Sequence, residues 1–205
     1  MSLTFNDSSK LWLTADQHFY HTNVIKFCDR PYKSVAEMNK ALIDNFNSVV
    51  KPDDTVLMLG DFCFGPLDKW VEIINQLKCK NIILSKGNHD KLQDGQIKQL
   101  FSGIYDYLEV KVKDSDAKDS WQSIVCCHYA FKVWNKSHYG SWNAFAHSHG
   151  TLIDDPNAFS CDVGVDCWNY FPVSYEQLKR FMVNKKYNSV DHHKGNECRQ
   201  GVRKV

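Results

Sequence analysis

Apolar and polar residues alternate from Lys10 to Ala15 and run into a polar turn, which predicts a first strand. Ser34, with Glu37 three residues on, has the form of a capping box. Apolar residues recur after it at Val35, Met38, Ala41, Leu42 and Phe46, close to helical spacing. Lys51-Pro52-Asp53-Asp54 reads as a turn and Thr55–Leu59 as a short buried strand. Pro66 opens a second helix through Leu77, with Trp70, Ile73, Ile74 and Leu77 on one face. Asn81–Ser85, Tyr105–Val112, Gln122–His128, Ala144–His147 and Ser160–Val165 are further strand candidates, and Ser174 with Gln177 caps a last helix reaching about Val183. A βαβαβ start followed by strands and a closing helix predicts an α/β sandwich, two sheets with helices packed outside. Residues 1–184 form the expected domain. From Lys185 onward six basic residues face two acidic ones and large apolar groups are few, so 185–205 is expected to be a flexible basic tail.

A chain of 205 residues suits one domain, and 43% hydrophobic with 24% charged residues is ordinary globular usage, which argues against coiled coil or wholesale disorder. No apolar stretch approaches the roughly 18 residues of a membrane span, and MSLTFNDSSK does not read as a secretory signal. Eight cysteines without any C-x-x-C pair read as small buried hydrophobes, not as a disulfide or zinc framework, so a reducing, cytoplasmic setting is expected. With 25 basic and 24 acidic residues the net charge is +1, which neither recommends a nucleic-acid partner nor excludes one.

The candidate chemistry lies in the placement of the histidines. Seven of nine fall between positions 18 and 149, several beside carboxylates at expected strand ends: Asp16-Gln17-His18, Gly60-Asp61, Gly87-Asn88-His89-Asp90, His128 and His147-Ser148-His149. Ligands of open α/β sheets bind at the carboxyl ends of strands, so five clusters would converge there. Side chains two apart on an extended segment share a direction, so Asp16 and His18 can approach one ion, and His147 and His149 can each serve one of a pair. Carboxylate, amide and imidazole together suit manganese, iron or zinc better than copper(I). Glycines at 60 and 87 allow tight turns that aim the next residue inward.

The ordered set D-x-H, G-D, G-N-H-D, an isolated H and H-x-H resembles the calcineurin-like metallophosphoesterase superfamily over about residues 10–165. D-x-H-F-x-H-x-N at 16–23, Arg30-Pro31, L-G-D-F at 59–62 and D-V-G-V-D-C-W-N at 162–169 are similar to a small bacterial and phage subgroup of it. The resemblance implies a two-sheet αββα sandwich and two divalent ions, manganese first, with iron, zinc or nickel as alternatives. It puts Asp16, His18 and His149 on one ion, Asn88, His128 and His147 on the other, and Asp61 between them. His89 would be the general acid, steadied by Asp90. The implied reaction is hydrolysis of a phosphomonoester or phosphodiester, possible nucleotides included, by a hydroxide held between the ions. The superfamily usually has G-H-x-H, whereas here Ala146 replaces the glycine, and a small backbone adjustment is expected. Asp61-Phe62-Cys63-Phe64 and Gly87-Asn88-His89-Asp90 lack the arginine and G-N-H-E of the protein phosphatases.

Around these clusters, His21 and Arg30 are candidate substrate ligands. Asn23, Lys132, Trp134, Lys136, His138 and Trp142 could bind phosphate, sugar or base, or could equally be loop and packing residues. Two alternatives to a general phosphoesterase are a non-catalytic binding module on the same fold and a nuclease. The module would be expected to lose ligands that are all filled here. The nuclease is compatible with the basic tail, but no long basic groove is visible.

Overall fold

The computed structural model describes residues 2–91 and 95–187; of the expected tail, 188–205 lie outside the described residues, His192, His193 and Cys198 among them. In chain order the elements are β1 (Ser2–Phe5), β2 (Leu11–Thr14), α1 (Val24–Phe27), α2 (Val35–Val49), β3 (Thr55–Met58), α3 (Leu67–Gln76), β4 (Ile82–Ser85), α4 (Gly95–Lys98), β5 (Gly103–Tyr105), β6 (Leu108–Lys113), β7 (Trp121–Cys126), β8 (Trp142–Phe145), β9 (Ser160–Asp162), β10 (Val173–Ser174) and α5 (Tyr175–Val183). They form an α/β sandwich of two mixed five-stranded sheets, ordered β1-β6-β7-β8-β9 and β10-β2-β3-β4-β5.

The apolar runs explain the layers. Strands β3 and β4 are buried on both faces, so their sequences, TVLM and IILS, are nearly continuous hydrophobic runs. Val56 and Met58 turn outward to a core with Met38, Leu42 and Phe46 of α2 and Trp70 and Ile73 of α3. Leu57 turns the other way, joining Leu11, Leu13, Leu108, Val110, Ile124 and Ala144 between the sheets. The other sheet has its outer side in water along β6, where Lys111 and Lys113 are exposed while Leu108, Val110 and Val112 point inward. Helix α5 packs against β10, β2 and β9, and its Tyr175 stacks on Trp142 at 5.6 Å.

Two helix starts follow the expected caps. Ser34 Oγ accepts from Glu37 N at 3.2 Å, although the Glu37 carboxylate reaches back to Lys33 N instead of the cap residue. Ser174 and Gln177 form a complete capping box. One expected strand is corrected. Tyr105–Val112 breaks at Asp106 and Tyr107: β5 pairs with β4 in one sheet, and β6 pairs with β1 and β7 in the other. Alternation slips by one residue at the adjacent pair Tyr107-Leu108, from apolar positions 105 and 107 to 108, 110 and 112, and this is where the chain changes sheets. Strand β1 was not visible as a strand, and it lies parallel to β6 with Ser2 opposite Glu109.

Candidate metal centre

Strands β2, β3 and β4 are parallel, as are β7, β8 and β9, so their carboxyl ends bring the clusters to one rim. The loops beyond the strands are zipped together by backbone bonds. Asp16 N donates to Gly60 O at 3.0 Å, His18 N to Asp61 O at 2.9 Å and Phe19 N to Phe62 O at 2.9 Å. Gly60 has φ +95°, and a Cβ there would lie 2.5 Å from Gly87 N. Gly87 is needed for a different reason than a turn: a Cβ on it would run into the Asp61 carboxylate.

Five candidate ligands occupy the left-handed region that L-residues avoid: Asp16 (φ 57°), His18 (51°), Asp61 (54°), His147 (71°) and His149 (48°). Such conformations cost roughly 1–3 kcal/mol each and persist where the surroundings over-determine them. Ala146 is outside that region, is buried, and donates its N–H to His128 O at 3.0 Å, so alanine fits where the resemblance leads one to expect glycine.

Asp16, His18 and His149 each offer a donor atom within 4.8 Å of the other two, and so do Asp61, His128 and His147. Asp61 stands between the groups. Its Oδ2 lies 3.5 Å from His18 Nε2 and 3.5 Å from His128 Nε2, while its Oδ1 accepts from His89 N at 2.8 Å. Asn88 Oδ1 approaches His128 Nε2 at 3.0 Å. Leu59 O, an acceptor only, is 2.8 Å from His128 Nδ1, which therefore carries the proton and leaves Nε2 facing the cage. Asp16 Oδ1 and His18 Nε2 are buried with no hydrogen-bond partner. Unpaired buried lone pairs converging on one space fit divalent cations, which would satisfy them.

The electrostatics agree. Burial pushes the Asp16 carboxyl up to about 7, against the pull of His149 and His128. Burial also lowers His18 to about 3, keeping its imidazole neutral and fit to ligate. For Asp61 burial acts upward but is outweighed by the hydrogen bond and charge of His128 and by His89 N–H, which hold it at about 2. His128 is itself drawn, against burial, toward its charged form by Asp61 and Asp16 in the metal-free cage, and a cation taken up there would displace the proton from its Nε2. A third group, Cys28, His149 and Asp166, is a poorer nest, since burial raises the Cys28 thiol to about 11 and Asp166 is already engaged.

Several expected roles change. Arg30 has no exposed side-chain surface, and its donors are spent internally. Nε and Nη2 form a fork on Asp166 at 2.8 and 2.7 Å, Nη2 also meets Asp16 O at 2.6 Å, and Nη1 meets Gln17 O at 2.9 Å. It cannot also grip a substrate phosphate. Asp90 does not act by steadying the His89 ring: its carboxylate accepts from Asp61 N, Phe62 N and Gly87 N at 2.8–2.9 Å and braces the turn that carries Asp61. His21 lies beside the cage, its Nδ1 3.2 Å from His18 Nδ1 and its ring stacked on Phe64. Trp134 and Trp142 are packing residues: Trp134 is buried with Nε1 on Ser141 O, and Trp142 is in the inter-sheet core. Asn23, Lys132 and Lys136 are exposed loop positions that belong to neither ligand group, and Cys126 and Cys127 are buried.

The roles missed belong to the 162–169 segment. Asp166 accepts from His149 Nδ1 at 2.7 Å and so joins Arg30 to a candidate ligand. Asp162 accepts from Ser148 Oγ at 2.6 Å and Gly150 N at 3.3 Å, fixing the turn through His149. Only the recurrence of Asp in D-V-G-V-D-C-W-N hinted at either.

Comparisons with known proteins bear on the family and the fold. An uncharacterized protein of Methanocaldococcus jannaschii is 30% identical, over 86% of this chain and 93% of its own. The crystal structure of a protein of unknown function from Aquifex aeolicus shares the fold, with a TM-score of 0.61 and 21% identity, covering 83% of this chain and 98% of that one. The family model for calcineurin-like phosphoesterases matches residues 9–192, a span that includes every residue of the cage. The chain therefore belongs to the calcineurin-like phosphoesterase family.

Proposed function

We propose that the protein is a metal-dependent hydrolase of phosphoesters, working at two divalent cations with His89 as the proton donor. The observation that carries this reading is the position of Asp61 Oδ2, equidistant at 3.5 Å from the Nε2 atoms of His18 and His128 on either side. Asp16, His18 and His149 would hold one cation and Asn88, His128 and His147 the other. Bound there, the pair supplies Lewis acidity, activating water and stabilising charge on the phosphoryl oxygens. The chain contributes the rest. His89 is held at the rim by its N–H bond to Asp61, with its ring 5.5 Å from that of His18, where it can protonate a departing alkoxide. Asp90 keeps the Asp61 turn in place from behind.

The reading is tested with p-nitrophenyl phosphate and bis-p-nitrophenyl phosphate. Turnover is expected to vanish after exhaustive dialysis against chelator and to return at least partly with Mn²⁺; undiminished turnover of the dialysed protein overturns it. His89→Asn is expected to bind metal as the wild type does and to lose about 10²–10⁴-fold in kcat on esters with poor leaving groups. Full rate on those esters removes His89 from the role.

A further inference from the structure

On the side of His89 away from the cage is a cleft of about 500 Å³. Phe64, Pro66 and Leu67, leading into α3, form one wall, and Lys91 and Ile97 contribute to the other. Among the described residues that line it there is no carboxylate, and Lys91 is the one lysine or arginine. Phe64 keeps 39% of its surface exposed although His21 stacks on one face at 4.2 Å and 12°. Phe27 beside His21 is 77% exposed. Exposed aromatic surface at the mouth of a charged cage is the kind of patch that marks a binding site.

His89 belongs to both compartments. Its ring is 5.5 Å from His18 in the cage and 5.3 Å from Phe64 in the cleft. In the hydrolysis proposed above, water oxygen bonds to phosphorus and the ester P–O bond breaks with its electron pair on the departing oxygen. His89 gives that oxygen a proton and is reprotonated from solvent. A general acid must lie within hydrogen-bond reach of the oxygen it protonates, so the alcohol departs on the His89 side, against the cleft.

We infer that the cleft is the leaving-group subsite, and that it selects esters whose alcohol carries a flat aromatic or heteroaromatic ring, aryl or nucleoside, packed beside Phe64 and the Lys91 ammonium, which lies 5.9 Å from the Phe64 ring centre. This rests on the phosphoesterase reading. The volume suits one such ring system, and an aromatic wall recognises any π-face without reading a sequence.

The test uses Mn²⁺-loaded full-length protein, wild type and Phe64→Ala, with 1-naphthyl phosphate, adenosine 5′-monophosphate and n-propyl phosphate. The kcat/KM advantage of a ring ester over the propyl ester is expected to fall about tenfold in the variant, chiefly through KM. The naphthyl and adenosine arms show whether an aryl or a nucleoside ring is preferred. Binding of 1-naphthol and adenosine, followed by fluorescence and calorimetry, is expected to weaken by a similar factor and needs no turnover. An unchanged advantage, or equal losses on all three esters, overturns the subsite while leaving the hydrolase reading intact. If the wild type cleaves none of the esters, that reading fails instead, and the binding arm alone decides the subsite.

Discussion

The two halves of the cage are built differently. Around the first, Asp16 and His18 are buried, and His149, with 17% of its side chain exposed, is tied through Asp166 to the fully buried Arg30 guanidinium. Around the second, Asp61 and His128 are buried but His147 and Asn88 are exposed; His147 is anchored through its backbone N–H to Asp16 Oδ2 at 2.9 Å, while its ring meets only the rings of His128 and Tyr129 among the described residues. One half is a scaffolded socket, and the other is half socket and half open rim. Preorganised ligands bind metal more tightly because less ordering remains to be done. The first cation is thus expected to be retained and the second to exchange.

The largest expected effect comes from removing the scaffold. Asp166→Ala leaves the Arg30 charge buried without its carboxylate and frees His149, so it should destabilise the protein by about 3 kcal/mol and release the first cation. Denaturant midpoints together with metal content check this. A variant that kept both would mean that the carbonyls of Asp16 and Gln17 suffice for Arg30, and the asymmetry between the halves would lose its basis.

Next is the electrostatic cost inside the socket. Because the folded Asp16 carboxyl is raised to about 7 from 3.8, an unfolded chain releases that proton more readily. Its burial therefore opposes folding of metal-free protein increasingly as pH rises from 4 to 7, and not at all below both values. Metal-free Asp16→Asn is accordingly expected to be more stable than the wild type by on the order of 2 kcal/mol at pH 8, with the difference gone near pH 3. Thermal melts in chelator at the two pH values decide it. A variant that is less stable at pH 8 would show that Asp16 is held ionised by something other than a cation.

The smallest effect on stability is expected from His147→Ala, within about 0.5 kcal/mol, since the side chain is exposed. The metal readout should nonetheless change. Calorimetric titration of the wild type with Mn²⁺ is expected to show a tight and a weaker event, and the variant should lose only the weaker. Loss of the tight event would invert the comparison.

That the candidate ligand clusters meet at one rim was legible in the sequence because each is a short contiguous segment immediately after a strand, so that local pattern and spatial position coincide. Arg30 was misread because a cation next to Pro31 near the D-x-H segment looks available for phosphate, and nothing local says that its partner stands 136 residues away. Asp166 was missed for the same reason, its function existing only when positions 30, 149 and 166 meet. Glycine 87 was expected to serve a turn, but its reason is the closeness of the Asp61 carboxylate, a distance between segments. The split of Tyr105–Val112 left one trace in the sequence, the adjacent apolar pair Tyr107-Leu108 at which alternation slips by a residue, while which sheet each part joins is decided by pairing.

The left-handed backbone at Asp16, His18, Asp61, His147 and His149 has a lasting consequence. Glycine would relax each of those positions, yet glycine has no side chain with which to ligate. Drift toward thermal endurance alone would thus empty the cage, one relieved turn after another, and only a demand for the cations themselves keeps it filled.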